Sequence, residues 1–259
     1  MTVKDIEQYL FRWAPKELAA QWDNVGHLAG DDHEVKKILV SLDITEKVVN
    51  EAISRKADLI VSHHPIMNCT WHPVQSVTTD NAQGRMLITM LKHGISAICM
   101  HTNLDAAEGG VNDCLANKLG LSDLISLNDE KIGRVGTLNC DLPLVEFVSF
   151  VVQSLGCHGA RYTDAGKSVH RVAVGGGACA EYIPNAIALG CDTFVTSDLK
   201  YHEFLDTTGI NLIDAGHFPT ENVICDELAR RLGQEFPTAE VFISTEHQSE
   251  VIQYFVKEK

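Results

Sequence analysis

The 259-residue chain is 45% hydrophobic and 22% charged, the balance of a folded globular protein, and no apolar run nears the ~18 residues a membrane-spanning helix needs, so a disordered chain and a membrane partner are both excluded. Its formal charge of −14, from 21 Lys+Arg against 35 Asp+Glu, repels polyphosphate and excludes a large nucleic-acid surface, while leaving room for a small anionic substrate gripped by cations in a cleft. Acids in Met1-Thr2-Val3-Lys4-Asp5-Ile6-Glu7, where a secretory signal carries basic residues, point to a cytoplasmic location.

Along the chain, Thr2 and Asp5 start a helix over Ile6 to Trp13, and Gln21 to Gly30 reads as a loop whose Trp22-Asp23-Asn24-Val25-Gly26 holds turn formers. Lys37 to Ser41 reads as a strand, and Thr45 to Lys56 as a helix with Val48, Val49, Ala52 and Ile53 on one face. Leu59-Ile60-Val61 is a short apolar run suited to a strand buried on both faces, and it ends in Ser62-His63-His64-Pro65. Met67 to Thr79 reads as an irregular loop. A helix from Asn81 to Lys92 ends at Gly94, and a strand from Ser96 to Met100 closes on His101-Thr102-Asn103-Leu104-Asp105. Gly109-Gly110 opens a helix to Leu119, and polar Ser122 to Lys131 marks a lobe boundary.

Beyond that boundary come a strand from Arg134 to Leu138, a helix from Pro143 to Leu155 capped by Asp141, and a strand from His170 to Val174 ending in Gly175-Gly176-Gly177. A helix from Tyr182 to Leu189 and strands at Thr193 to Thr196 and Asn211 to Ile213 follow. A helix from Thr220 to Leu232 and strands at Glu240 to Ser244 and Val251 to Val256 close the chain. Strand and helix alternate throughout, so the fold class is α/β, in two lobes. The expected division is a metal-binding lobe of residues 1–125 with 210–259 and a second lobe of 126–209.

In open α/β sheets, ligands gather outside the carboxyl ends of the strands. Here those ends carry Asp43, then His63-His64, then His101 with Asp105, then the glycine triplet, then Asp198-Lys200-His202, then Asp214 with His217 and Glu221. Pro65 holds His64 extended, and extended neighbours point to opposite sides. Two diverging imidazoles can serve two metal ions, or one metal and its substrate; a pair of ordinary loop histidines is the plainer alternative. In His217-Phe218-Pro219-Thr220-Glu221, Pro219 suits the first turn of a helix, with Glu221 inside that turn and His217 just ahead of it, although a carboxylate there also serves as a cap. Asp105 could equally cap the helix near Gly110. Together His63, His64, Asp105, His217 and Glu221 exceed what one tetrahedral site needs and suit two divalent ions with a bridging carboxylate. The eight cysteines, at 69, 99, 114, 140, 157, 179, 191 and 225, form no C-x-x-C pair and avoid these segments. They suit small buried hydrophobes in a reducing compartment, and the site is expected to take zinc, manganese or iron rather than copper(I).

Other motifs fail. Ala165-Gly166-Lys167-Ser168 ends like a phosphate-binding loop, but Arg161 stands where the first glycine belongs; Gly175-Gly176-Gly177 lacks G-x-G-x-x-G spacing, although it lets backbone approach a ligand closely. No G-x-S-x-G elbow supports serine hydrolase chemistry.

Four segments in register, Ser62 to Pro65, His101 to Asp105, Thr196 to His202 and Asp214 to Glu221, resemble the GTP cyclohydrolase I type 2 homologue family, the Nif-three-like family. The resemblance runs from the first helix to the end. It implies two α/β lobes with mixed sheets flanked by helices around a cleft. It also implies a pair of metal ions on His63, His64, Asp105, His217 and Glu221, with the glutamate contacting both, and a homohexameric ring. Some relatives carry an inserted domain, for which Leu138 to His170 leaves no room.

The resulting expectation is a dinuclear metal-dependent hydrolase using a metal-activated water on a small molecule, with the guanine nucleotide of a GTP cyclohydrolase-like ring opening as the family's suggestion. In that picture His63 and His217 favour one ion, His64 and Asp105 the other, with Glu221 between them. His101, Asp198, Lys200 and His202 are candidates for proton transfer or substrate contact, and Lys200 or Arg171 could meet an anionic group. The alternative is a non-catalytic metal-binding scaffold or regulatory protein forming the same ring.

Overall fold

Thr2 starts the first helix with a reciprocal cap: its hydroxyl accepts from the Asp5 amide, and the Asp5 carboxylate accepts from the Thr2 amide. The structure is a computed structural model and describes residues 1–67, 74–249 and 251–255. In chain order its first elements are α1 (Val3–Trp13), β1 (Gly26–Ala29), β2 (Lys37–Ser41), α2 (Glu46–Arg55), β3 (Leu59–Ser62), α3 (Ala82–Lys92), β4 (Ser96–Cys99) and α4 (Thr102–Ala106). There follow α5 (Val111–Lys118), β5 (Ser122–Ser126), β6 (Arg134–Leu142), α6 (Leu144–Leu155), β7 (Arg161–Thr163), β8 (Val169–Val174), α7 (Ile183–Ala188) and β9 (Thr193–Thr196). The last are α8 (Tyr201–Asp206), β10 (Asn211–Asp214), α9 (His217–Glu221), α10 (Val223–Glu235) and β11 (Glu240–Ile243).

The chain divides into two units, residues 1–108 with 224–248 and residues 109–223 with 249–259. In the first, strands run in the order β1-β4-β3-β2-β11. β4, β3, β2 and β11 are mutually parallel, and β1 is an antiparallel edge against β4. Leu39, Ile60 and Ala97 pack with Val48, Val49 and Ala52 of α2 and Leu87 and Met90 of α3. The alternate residues Ile38, Val40, Leu59, Val61 and Ile98 are buried as well, so these strands are covered on both faces, as their continuous apolar runs require.

The second unit has the strand order β5-β6-β8-β9-β10-β7, with β8, β9 and β10 parallel and the others antiparallel. One face carries Val172, Val174, Val195 and Ile213 against Leu115, Ala116, Phe147 and Val151 of α5 and α6. The other carries Val135, Ala173, Phe194 and Leu212 against Ile183 and Ala186 of α7.

These bounds differ from the expected division at residues 125 and 210. β5 is a strand of the second sheet, and its polarity, read as a boundary, is that of an exposed edge. α5 packs on β6 and β8, and β10 pairs with β9. His217 and Glu221 therefore belong to the second unit.

Other expectations are corrected locally. Residues 26–29 form a strand where a loop was expected. Asp141 does not cap α6, whose cap residue is Pro143; it pairs with His170 at 3.1 Å across the β6–β8 ladder. The helix expected from Thr220 breaks at Asn222 into α9 and α10. Residues 251–255 form no strand, and Val256, like Cys69 and part of the Met67 to Thr79 loop, lies outside the described residues. Lys167 and its neighbours link β7 to β8 rather than a strand to a helix, which disposes of the phosphate-loop likeness. No helix among the described residues is long and apolar enough to cross a membrane.

Candidate metal centre

In the first unit the parallel strands end on a group of imidazoles. The chain bends at His63 and His64 rather than staying extended, so the period-2 alternation stops at Ser62. The two rings do not diverge as expected: their centroids are 5.0 Å apart. His101, two residues beyond β4, completes the group, 5.3 Å from the His63 ring and 5.6 Å from that of His64. One ring nitrogen of each of these three lies within 4.8 Å of the others. Asp105, on the short helix α4, puts Oδ1 3.7 Å from His63 Nε2. It does not cap the Gly110 helix; that end is tied by Asp113, which accepts from the Gly109 amide at 2.6 Å.

What lies behind each ring decides what it can bind. His63 Nδ1 is 2.8 Å from the Met100 carbonyl oxygen. His64 Nδ1 is 2.7 Å from Asp43 Oδ1. His101 Nδ1 is 3.0 Å from both oxygens of Asp23. Carbonyl and carboxylate oxygens only accept, so each Nδ1 carries a proton, and each ring in its neutral form presents its Nε2 lone pair. Asp23 also accepts from the Thr102 amide at 3.0 Å and hydroxyl at 2.6 Å. Burial works to raise its pKa, but the hydrogen bonds from His101 and Thr102 prevail and hold it at about 2. Asp43 is likewise held below the usual carboxylate range, its burial outweighed by hydrogen bonds from His247 and His64.

The second unit holds a polar group of its own. His217 and Glu221 are four residues apart on α9, so they share a face; His217 lies within that helix, not ahead of it. Its Nε2 is 3.0 Å from Glu221 Oε2 and its Nδ1 is 2.6 Å from Asp198 Oδ2. Burial disfavours charge on this ring, yet the two carboxylates lift its pKa to about 11. Such a position favours a cation, whether proton or metal. Asp198 reaches the ring from a left-handed backbone position, φ 56°.

The glycine triplet after β8 is what makes room for Glu221. A Cβ on Gly177, whose φ is +67°, would lie 2.1 Å from Glu221 Oε1 and 3.3 Å from His217 Nε2. Gly177 is pinned there: its amide donates to the Thr220 hydroxyl at 3.0 Å, and its carbonyl accepts from the Thr196 hydroxyl and the Ser197 amide, each at 3.0 Å.

The structure thus gathers His63, His64, His101 and Asp105 in one unit and Asp198, His217 and Glu221 in the other. It leaves Lys200 and His202 at the start of an exposed helix, where the Lys200 amide donates to Glu203 at 2.5 Å and the His202 ring lies against Tyr201. Arg171 donates to the Leu189 carbonyl at 3.0 Å. Asp214 receives the Leu199 amide and an Arg161 guanidinium, so its role is to fix the loop after β9. Asp23 and His247 carry no sign of a role in the sequence; only the turn-like Trp22–Gly26 composition surrounds the first. No disulfide joins the seven described cysteines, and burial pushes the thiols of Cys99 and Cys191 up to about 11. The donor set of imidazole nitrogens and carboxylate oxygens fits zinc, iron or manganese.

The family model of Duf34/NIF3 (NGG1p interacting factor 3) matches residues 1–250. The chain belongs to the Duf34/NIF3 family. Among curated Duf34/NIF3 relatives, a GTP cyclohydrolase 1 type 2 homolog of Clostridium perfringens is 30% identical, with 98% of this chain and all of that one covered. One of Clostridium acetobutylicum is 34% identical, with 85% of each covered. Among solved structures, the Staphylococcus aureus hypothetical protein SA1388 superposes with a TM-score of 0.90 at 29% identity, with 98% of this chain and 99% of that one covered. A Bacillus cereus protein related to NIF3 gives 0.89 at 25% identity, with 99% of both chains covered.

Proposed function

We propose that this protein is a dinuclear metal-dependent hydrolase with His63, His64, Asp105, His217 and Glu221 as its metal ligands and Glu221 as the shared one; His63 Nε2 lies 3.7 Å from Asp105 Oδ1, which favours these two on the same ion in place of the expected pairing of Asp105 with His64. The observation that carries the reading is that His63, His64 and His217 each have Nδ1 against an acceptor-only oxygen, the support that metal-binding histidines require. Bound divalent ions would supply Lewis-acid chemistry and an acidified water.

The chain's own groups then divide the work. Asp105 and Glu221 carry the negative charge that holds cations in a buried place. His101, whose Nδ1 is held by Asp23, would receive a proton from a reacting group and return it to a leaving group. Asp198 orients His217; Lys200 and His202, at the start of the exposed helix α8, are the side chains there that would meet an anionic group. The name printed for the curated relatives directs the substrate search to GTP and other nucleotides. A small anionic substrate also agrees with a net charge of −14, which disfavours polymeric nucleic acid.

Metal analysis of untagged protein should find two ions per chain, with a sharp drop in Glu221→Ala. Unchanged occupancy in that variant removes the shared-ligand role. Turnover of GTP, other nucleotides or phosphoesters by protein reconstituted with zinc, iron or manganese should disappear in His64→Ala. Two bound ions without any His64-dependent turnover across that panel would replace the hydrolase by a metal-binding scaffold.

A further inference from the structure

The carboxyl edge of the first sheet carries a polar chain that extends past the metal ligands. His64 follows β3, Asp43 follows β2 and His247 follows β11, and these three strands are adjacent and parallel. Asp43 gives one oxygen to each ring: Oδ1 is 2.7 Å from His64 Nδ1, and Oδ2 is 2.7 Å from His247 Nε2. The carboxylate only accepts, so both imidazoles donate to it.

His247 is itself fixed from below. Glu51, on α2, has a side chain only 4% exposed. It accepts from the Ser244 hydroxyl at 2.6 Å, the Thr245 amide at 3.0 Å and hydroxyl at 2.9 Å, and the Glu246 amide at 3.4 Å. A buried carboxylate with that many donors is worth far more as a clamp than as a surface charge. It sets the three residues that lead directly into His247.

The torsion that turns a carboxylate plane is soft, and one hydrogen bond to His64 would leave it free to swing. A second bond on the other oxygen stops the swing and so fixes the direction in which His64 presents Nε2. We propose that His247 is a positioning residue for the metal ligand His64, acting through Asp43, with Glu51 holding it in place. The inference rests on the metal reading above and adds to it a residue from the far end of the first unit.

Zinc titration of the full metal-free chain, in competition with a chromogenic chelator, tests it. His247→Ala should weaken one of the two zinc sites by about 10–100-fold, the usual cost of losing an outer hydrogen-bond partner, and leave the other unchanged. His247→Gln, whose amide nitrogen reaches where Nε2 sits, should bind like the wild type. If the alanine variant does not fold, His247→Asn, polar but too short to reach Asp43, should show the same selective weakening. Wild-type affinities in the alanine or asparagine variant, with two ions on the wild type, overturn this inference and leave the metal reading intact. A glutamine variant as weak as alanine overturns the hydrogen-bond route. A wild-type chain that takes up no zinc overturns the metal reading and this inference with it.

Discussion

An imidazole ligates a metal through a nitrogen that has given up its proton, so the acceptor behind the other nitrogen decides whether a histidine is ready. Here those acceptors are the Met100 carbonyl, Asp43, Asp23 and Asp198. The histidines themselves, and Asp43 and Asp198, are legible as polar residues closing apolar runs. A backbone carbonyl has no sequence signature, and Asp23 hides in a loop whose composition speaks only of turns. The glycine triplet announces a close approach, but only the structure identifies Glu221 as what approaches. Gly177→Ala tests that contact. Its positive φ and the 2.1 Å approach to Glu221 Oε1 should cost about 1–3 kcal/mol of backbone strain and lower bound metal as far as Glu221→Ala does. Metal content equal to wild type would mean that the glutamate steps aside at no cost.

Among the elements, the helices announce themselves through their starts: Thr2, Thr45 and Asn81 each accept from a backbone amide in the first turn. Short pieces escape. β1 and β7 have four and three residues and α8 has six, too few to establish a period, and each owes its conformation to a neighbour. One polar tie between α5 and β6 is equally invisible, because its two partners are 21 residues apart. Arg134 grips Asp113 with two bonds, Nε to Oδ1 at 2.6 Å and Nη2 to Oδ2 at 3.0 Å, and donates through Nη1 to the carbonyls of Lys131 and Gly133. Arg134 is buried and the Asp113 side chain is only 13% exposed, so removing the aspartate leaves a buried guanidinium without its carboxylate. Asp113→Ala should lower unfolding free energy by about 3–5 kcal/mol, measured by urea denaturation. A loss below about 1 kcal/mol, the worth of an exposed pair, would mean that water reaches the site.

For the molecule as a whole, the α/β class and the alternation were readable, while the division of the chain was not: the sharpest drop in apolar pattern, at Ser122 to Lys131, marks a sheet edge instead of a border. Stability toward acid is also a whole-chain property with a few identifiable sources. Asp23 keeps its charge down to about pH 2 when folded, against an ordinary value of 3.8. Its contribution is therefore complete above pH 4 and is lost as pH falls from about 4 to about 2; the difference amounts to about 2 kcal/mol. Asp43, shifted the same way, steepens the same decline. Denaturant midpoints followed over that range should fall less steeply in Asp23→Asn, which begins from a lower midpoint at pH 7. Parallel curves would assign the decline to other carboxylates.

β11 pairs with β2 and with no other described strand, although some two hundred residues separate them in sequence. A nascent chain therefore keeps the β11 side of β2 open until residue 240 is reached, by which point every strand of the intervening sheet, from Ser122 to Asp214, has been made. The later-coded sheet can finish first, and the earlier one waits with a hydrogen-bonding edge on offer to any passing strand. For this protein, ribosome pausing or truncation just before residue 240 would release a molecule that is nearly full length and yet sticky.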